Sequence, residues 1–246
     1  MLEAFSWGLA AAASLLLGAV VVRVHTPRPD VLGLIMGFGA GVLLSAVSFE
    51  LVEESVDVAN GLGSTAAGFF TGAIVFFLGD RTIASLGYHA RKDIDGAPPN
   101  ASALAIVLGT VLDGVPESAV LGLTLLTTGQ VCVSMLVAVF ISNLPESIAA
   151  STSLRNGGWS QRNVYLLWGG IALVSGVSAS AGFVLLDGAS PRWTAFVLAF
   201  AGGAILAMLS TTMMPEAYEH AGRLWASPPR SASRSRSPST GSRTDS

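Results

Sequence analysis

The fold class predicted by this chain is an all-α integral membrane protein, a polytopic bundle of about seven transmembrane helices. Three observations predict it. The residues are 51% hydrophobic; only 12% are charged, against about 25% in a soluble domain; and uncharged apolar runs recur at the length of about 20 residues that a helix needs to cross hydrocarbon. The mean hydropathy of +0.62 agrees.

The runs follow in order. The first, 4–22, comes after Glu3 and not after a basic segment, which argues against a cleaved signal peptide. The second, 31–49, carries Gly33, Gly37 and Gly41 at every fourth position, a pattern that permits close helix contact. Its Gly37-x-Gly39 fragment has no strand before it and is no dinucleotide signature. The third, 58–79, ends at Asp80-Arg81, read as a local charge pair. A solvated loop is expected over 88–100, where Arg91, Lys92, Asp93, Asp95 and Pro98-Pro99 gather. The fourth and fifth spans, near 101–128 and 131–154, are joined by the short turn Thr127-Thr128-Gly129-Gln130, and 163–186 and 193–215 complete the seven. From Ser227 onward Ser, Arg and Pro dominate, so burial cannot offset the entropy of ordering. The expected organisation is a transmembrane domain over 1–222 and a disordered cytoplasmic tail over 223–246. Cys132 is the single cysteine, which excludes a disulfide framework.

Basic loops stay cytoplasmic. Arg23 and Arg28, then Arg81, Arg91 and Lys92, then Arg155 and Arg162, and five tail arginines all fall on alternate connections; only Arg192 lies opposite. The chain is therefore expected in the cell membrane with its N-terminus outside and its tail inside. Glu53, Glu54 and Asp57, after the second span, are read as an acidic outer rim or as a solvated helix end.

Acids also sit within the spans, in two passages that read alike: Asp113-Gly114-Val115-Pro116-Glu117-Ser118 and Ser142-Asn143-Leu144-Pro145-Glu146-Ser147. Counted from Gly129, Asp113 is 16 residues away and Glu146 is 17, while Glu117 is 12 away and Ser142 is 13. At about 1.5 Å per residue, these groups pair in depth across an antiparallel hairpin. Asp113 and Glu117 share one helical face, as do Ser142 and Glu146, with Asn143 beside them. Pro116 and Pro145 donate no backbone bond and would release the carbonyls of Leu112 and Ile141. Each intramembrane acid costs roughly 2.5–3.5 kcal/mol on insertion scales. Neither span supplies a Lys or Arg to neutralise it, so a metal ion or protons must do so. The expected metal ligands are Asp113, Glu117, Ser142, Asn143 and Glu146, with Glu50 as a residue of the outer pathway. The alternative is a set of protonated side chains that join helices.

With these motifs on adjacent helices, the chain resembles the ZIP metal transporters and, within them, the bacterial GufA-like branch. That family carries His-Asn-x-Pro-Glu-Gly on its fourth helix and a related Pro-Glu motif on its fifth, and together they form a binuclear metal site. Similar stretches are Phe38 to Leu43, Gly68 to Arg81 and Met214-Pro215-Glu216-Ala217. The resemblance spans about 4–222. It implies a divalent cation as transported substrate, no further cofactor, the lipid bilayer as partner with a homodimer allowed, and no nucleic acid. Independently, Phe38 to Ser55 aligns with Phe200 to Ala217 at a constant offset of 162, which predicts an inverted repeat around the central hairpin.

The departures matter equally. Asp113 stands where the family has His, Gly114 where it has Asn, and Ser142 where it has His or Gln. A carboxylate of the sixth helix falls near Gly176, and an acidic pair of the seventh falls on Thr211 and Thr212. The eighth helix, which the family places after the Pro-Glu segment of the seventh, is expected to be either genuinely lost or cut off by truncation or a frameshift after about Trp225. These losses favour one metal over two, and a site without imidazole or thiolate suits Mn²⁺ or Mg²⁺ better than it selects Zn²⁺. His25, His89 and His220 read as surface or interfacial residues. The expected function is ATP-independent transport of divalent cations (zinc, manganese or iron class). The alternatives are a non-transporting ZIP-like protein and, more distantly, an intramembrane aspartyl protease using Asp80 and Asp113.

Overall fold

The computed structural model describes residues 1–25, 27–59, 61–85 and 103–226. Among them, seven helices are long and apolar enough to cross a membrane: α1 (Leu2–Val24), α2 (Pro29–Ala59), α3 (Leu62–Ala84), α4 (Ile106–Thr128), α5 (Val133–Asn156), α6 (Gln161–Val184) and α7 (Pro191–Gly222). The all-helical expectation therefore holds. The loop expected over 88–100 and the tail from Ser227 lie outside the described residues. The last helix runs on to Ala226, past the boundary expected at 222.

Local chemistry sets the helix ends. Pro29 and Pro191 each open a helix, where a missing N–H costs nothing. Arg28 pairs with Asp30 at 2.7 Å ahead of the first turn of α2. Ser160 and Ser190 cap α6 and α7 by accepting from the N–H groups of Asn163 and Trp193. The α4–α5 turn is closed by Gly129 at φ 71°, while Thr128 Oγ1 donates to the Thr124 carbonyl at 2.8 Å.

Two helices are longer than expected, at 31 residues for α2 and 32 for α7. Each exceeds the hydrocarbon thickness of about 30 Å at about 1.5 Å per residue. Glu53, Glu54 and Asp57 thus lie on the continuation of α2, at its end, as one of the two readings expected. Each long helix is interrupted by a π-helical segment, Val47–Val52 in α2 and Leu209–Met213 in α7. The offset of 162 carries Pro29 onto Pro191 and Val47 onto Leu209, so the repeat extends from sequence to backbone. Ser48 donates to the Leu44 carbonyl at 2.9 Å, and Ser210 makes the matching bond to Leu206 at 2.9 Å.

Helix α5 is the most enclosed span and α3 the least, with 61% and 22% of their apolar windows buried. Helix α3 lies along α7, α4 along α6, and α5 is held by α1 and α2; α4 and α5 touch each other only sparsely. Lipid supplies no hydrophobic drive for such contacts, so close backbone approach at small residues must do so. A Cβ placed on Gly203 would meet the Phe69 carbonyl oxygen at 1.9 Å, and one on Gly72 would meet that of Phe200 at 1.9 Å. Gly203→Val should therefore destabilise the folded protein by about 1–3 kcal/mol or more, read as a lower midpoint of detergent or thermal unfolding. Gly41→Val, at the equivalent position of the repeat with nothing within 4 Å, should leave that midpoint close to wild type.

Candidate metal site

The two Pro-Glu passages lie inside continuous helices. Pro116 is within the helix Ala103–Thr128 and Pro145 within Val133–Asn156, so both helices run through their prolines. All five expected ligands are in the protein interior. Asp113 is 3% exposed, Glu117 1%, Ser142 1%, Asn143 7% and Glu146 7%. None of these side chains faces lipid, as the cost of an acid in hydrocarbon requires.

Enclosure of the α5 motif comes from two glycines on neighbouring helices. A Cβ on Gly39 of α2 would lie 3.2 Å from the Ser142 Cα, and one on Gly18 of α1 would lie 1.9 Å from Ser147 Oγ. A side chain at either position would push α5 away. The hydroxyls on this stretch turn back to the backbone: Ser142 Oγ donates to the Val139 carbonyl at 3.0 Å, and Ser147 Oγ to that of Leu144 at 2.9 Å. Ser142 could therefore offer a cation only its oxygen lone pairs. On the α4 motif, Ser178 of α6 donates to the Val115 carbonyl at 2.9 Å, beside Pro116. Ser175 of the same helix is buried, and its Oγ lies 3.9 Å from where a Cβ on Gly114 would sit. Sequence reading missed Ser147, Ser175 and Ser178, because small hydroxyl residues are ordinary in membrane helices and carry no spacing signal.

Among the described residues, no three His, Cys, Asp or Glu side chains are grouped so as to hold a metal ion together. Asp113 and Glu117 on α4 and Glu146 on α5 are brought into the interior without forming such a cage. The sparse contact between α4 and α5 is the physical reason, since the expected convergence assumed a tightly packed hairpin. Two positions that carry acids in the resembling family are structurally committed elsewhere. A Cβ on Gly176 would meet the Phe5 ring at 2.8 Å, so an aromatic side chain fills the space of the expected helix-six carboxylate. Thr212 lies in the π segment of α7, where its Oγ1 donates to the Met208 carbonyl at 2.7 Å.

His220 corrects an expectation. It is 3% exposed and not a surface residue, because the extension of α7 packs it beside Gly33 of α2, where a Cβ would meet its own Cβ at 2.8 Å. Its Nδ1 lies 3.4 Å from Glu216 Oε1. His25 is exposed, as expected, and His89 is outside the described residues. Asp80 lies on α3 and Asp113 on α4.

Glu50, in the π segment of α2, accepts a hydrogen bond from Ser134 Oγ at 2.6 Å, tying α2 to the first turn of α5. Ser134 Oγ is also 3.1 Å from Cys132 Sγ. Burial pushes the Cys132 thiol above its ordinary value, and the nearby Glu50 carboxylate pushes the same way, against the bond to Ser134. The thiolate, which is the reactive form, is thus disfavoured by a negative neighbour. Alkylation of Cys132 by iodoacetamide should require a pH above the ordinary thiol value of about 8.5. Glu50→Gln should shift that profile to lower pH and raise the rate at pH 8 severalfold.

No protein-family model matches the chain. It is 30% identical over 217 residues, 87% of its length, to an Arabidopsis thaliana protein named "Putative zinc transporter". The chain spans about a third of the length of that relative, 34%. This relationship does not single out the GufA-like branch. With seven helices long and apolar enough to cross a membrane, the chain is a multi-pass membrane protein similar over most of its length to that relative.

Proposed function

We propose that this chain moves divalent cations across the bilayer, without ATP, through a site formed by Asp113, Glu117, Ser142, Asn143 and Glu146. One observation carries the reading: three carboxylates on neighbouring spans are each at most 7% exposed, in helices without a Lys or Arg at their depth. A divalent cation matches a site of such composition. Because α4 and α5 pack sparsely against each other, an arriving ion draws their oxygens together, and its departure lets the helices part again. That exchange suits a carrier, in which binding must be strong enough to dehydrate the ion and weak enough to release it. Oxygen ligands favour ions of the manganese or magnesium type, while the relative's name points to zinc, which carboxylates also bind. The pathway opens at Glu50, and the cell membrane, with the N-terminus outside, is the proposed location.

A second reading, metal binding without flux, draws on the Phe5 ring that fills the space beside Gly176. Purified protein in proteoliposomes separates the two when equilibrium binding and uptake of Zn²⁺, Mn²⁺ and Fe²⁺ are measured together. Wild type should bind and take up at least one of these ions. Glu117→Gln and Glu146→Gln should each reduce uptake at least tenfold while eluting as folded protein. Binding with no uptake supports the second reading, and uptake untouched by both substitutions overturns the assigned site.

A further inference from the structure

Helices α3 and α7 run side by side in the same direction, and glycine sets their closest approach. A Cβ on Gly68 would meet the Phe196 carbonyl oxygen at 2.2 Å, and one on Gly72 would meet that of Phe200 at 1.9 Å. Toward the starts of both helices the pair opens, and a Cβ on Gly63 would have nothing within 4 Å. There α3 offers only the small residues Gly63, Ser64 and Ala67. Opposite them α7 offers Trp193 and Phe196, whose rings stack with centroids 5.3 Å apart and planes inclined by 6°. An open wedge of about 460 Å³ lies between the two helices, lined also by Ser190 and Arg192.

The first turn of α7 gives the wedge its depth and its charge. Trp193 is 54% exposed at the end of a membrane span, the level where tryptophan collects between hydrocarbon and headgroups. Arg192 is the one Lys or Arg on the connections at this end of the bundle. Among the described residues it has no ion-pair partner, and no acid lines the wedge. Ser190 Oγ accepts from the Trp193 N–H, which leaves its own proton to donate, and the Ser64 hydroxyl has no partner among the described residues. A guanidinium with two hydroxyls suits a phosphate. The stacked rings and Ala67 suit an acyl chain, which a free phosphate lacks. Arg192 repels the ammonium of a zwitterionic headgroup, and no carboxylate lines the wedge to pair with it.

We propose that the wedge between the starts of α3 and α7 binds one anionic phospholipid, its phosphodiester on Arg192, Ser64 and Ser190 and an acyl chain along Phe196 and Ala67. The lipid joins the open end of a helix pair that glycine contacts join further along. Helix α3, the least enclosed span, is the one it holds in place.

Native mass spectrometry of the full chain, released from neutral detergent with equimolar dioleoyl phosphatidylglycerol and dioleoyl phosphatidylcholine, tests the site without a transport measurement. The first lipid adduct on the 25.2 kDa chain should favour phosphatidylglycerol at least threefold. Arg192→Gln should bring that ratio close to one. Arg28→Gln removes an exposed cation already paired with Asp30 at the other end of the bundle, and should leave the ratio unchanged. Ala67→Phe fills the wedge from an exposed position and keeps every charge, so it should lower phosphatidylglycerol retention at least threefold in a folded protein. Equal retention of the two lipids by wild type, a ratio untouched by Arg192→Gln, retention untouched by Ala67→Phe, or an equal loss from Arg28→Gln would overturn the site. Displacement of the lipid by inorganic phosphate in excess would overturn it in favour of a free-anion site.

Discussion

An ionisable carboxyl group placed at bilayer depth has nowhere to go except into protein, and the arrangement of the other helices follows from that constraint. Asp113, Glu117 and Glu146 are on α4 and α5, so those spans cannot form the outer wall. Helix α5 is accordingly the most enclosed of the seven, with α1 and α2 against it, while α4 lies along α6. Enclosure needs backbones that approach closely. Gly39 and Gly18 provide that against Ser142 and Ser147, where any side chain would displace the acid-bearing helix.

The same constraint explains the loose contact between α4 and α5. A hairpin packed tightly along its length would press the acids of α4 and α5 together and raise their mutual repulsion at low dielectric. With α4 resting on α6 and α5 on α1 and α2, the two motifs belong to separate supports. The paired π segments of α2 and α7 lie at equivalent points of the repeat, one of them presenting Glu50. π-helical turns inside α-helices occur frequently at functional sites, and the segment of α2 reaches the start of α5 through the Ser134–Glu50 bond.

Legibility from sequence followed the strength of the physical signal. Seven spans were readable because hydrocarbon imposes a minimum apolar length that few other environments demand. The burial of Asp113, Glu117, Ser142, Asn143 and Glu146 was readable because acids in such runs are rare and their spacing repeats. Serine partners such as Ser147, Ser175 and Ser178 were not, since a hydroxyl in a membrane helix has no distinctive period. His220 was misread as superficial because its place near the end of an apolar run suggested an interface. Only the extension of α7 across Gly33 of α2 puts it inside. The second span was set too short, at 31–49, for a related reason, as charge ends an apolar run without ending a helix.

The sequence by itself determined the solvent, the number of spans, the repeat relating α2 to α7, and the burial of five polar residues, because each rests on composition or spacing along one chain. Tertiary structure decided what lies beside what: Phe5 in the space next to Gly176, α3 over Gly203, and nothing over Gly41. Glycine and alanine positions look equivalent in a one-dimensional string. Their roles separate only when another helix approaches, because close packing depends on which surfaces meet and not on which residues are small.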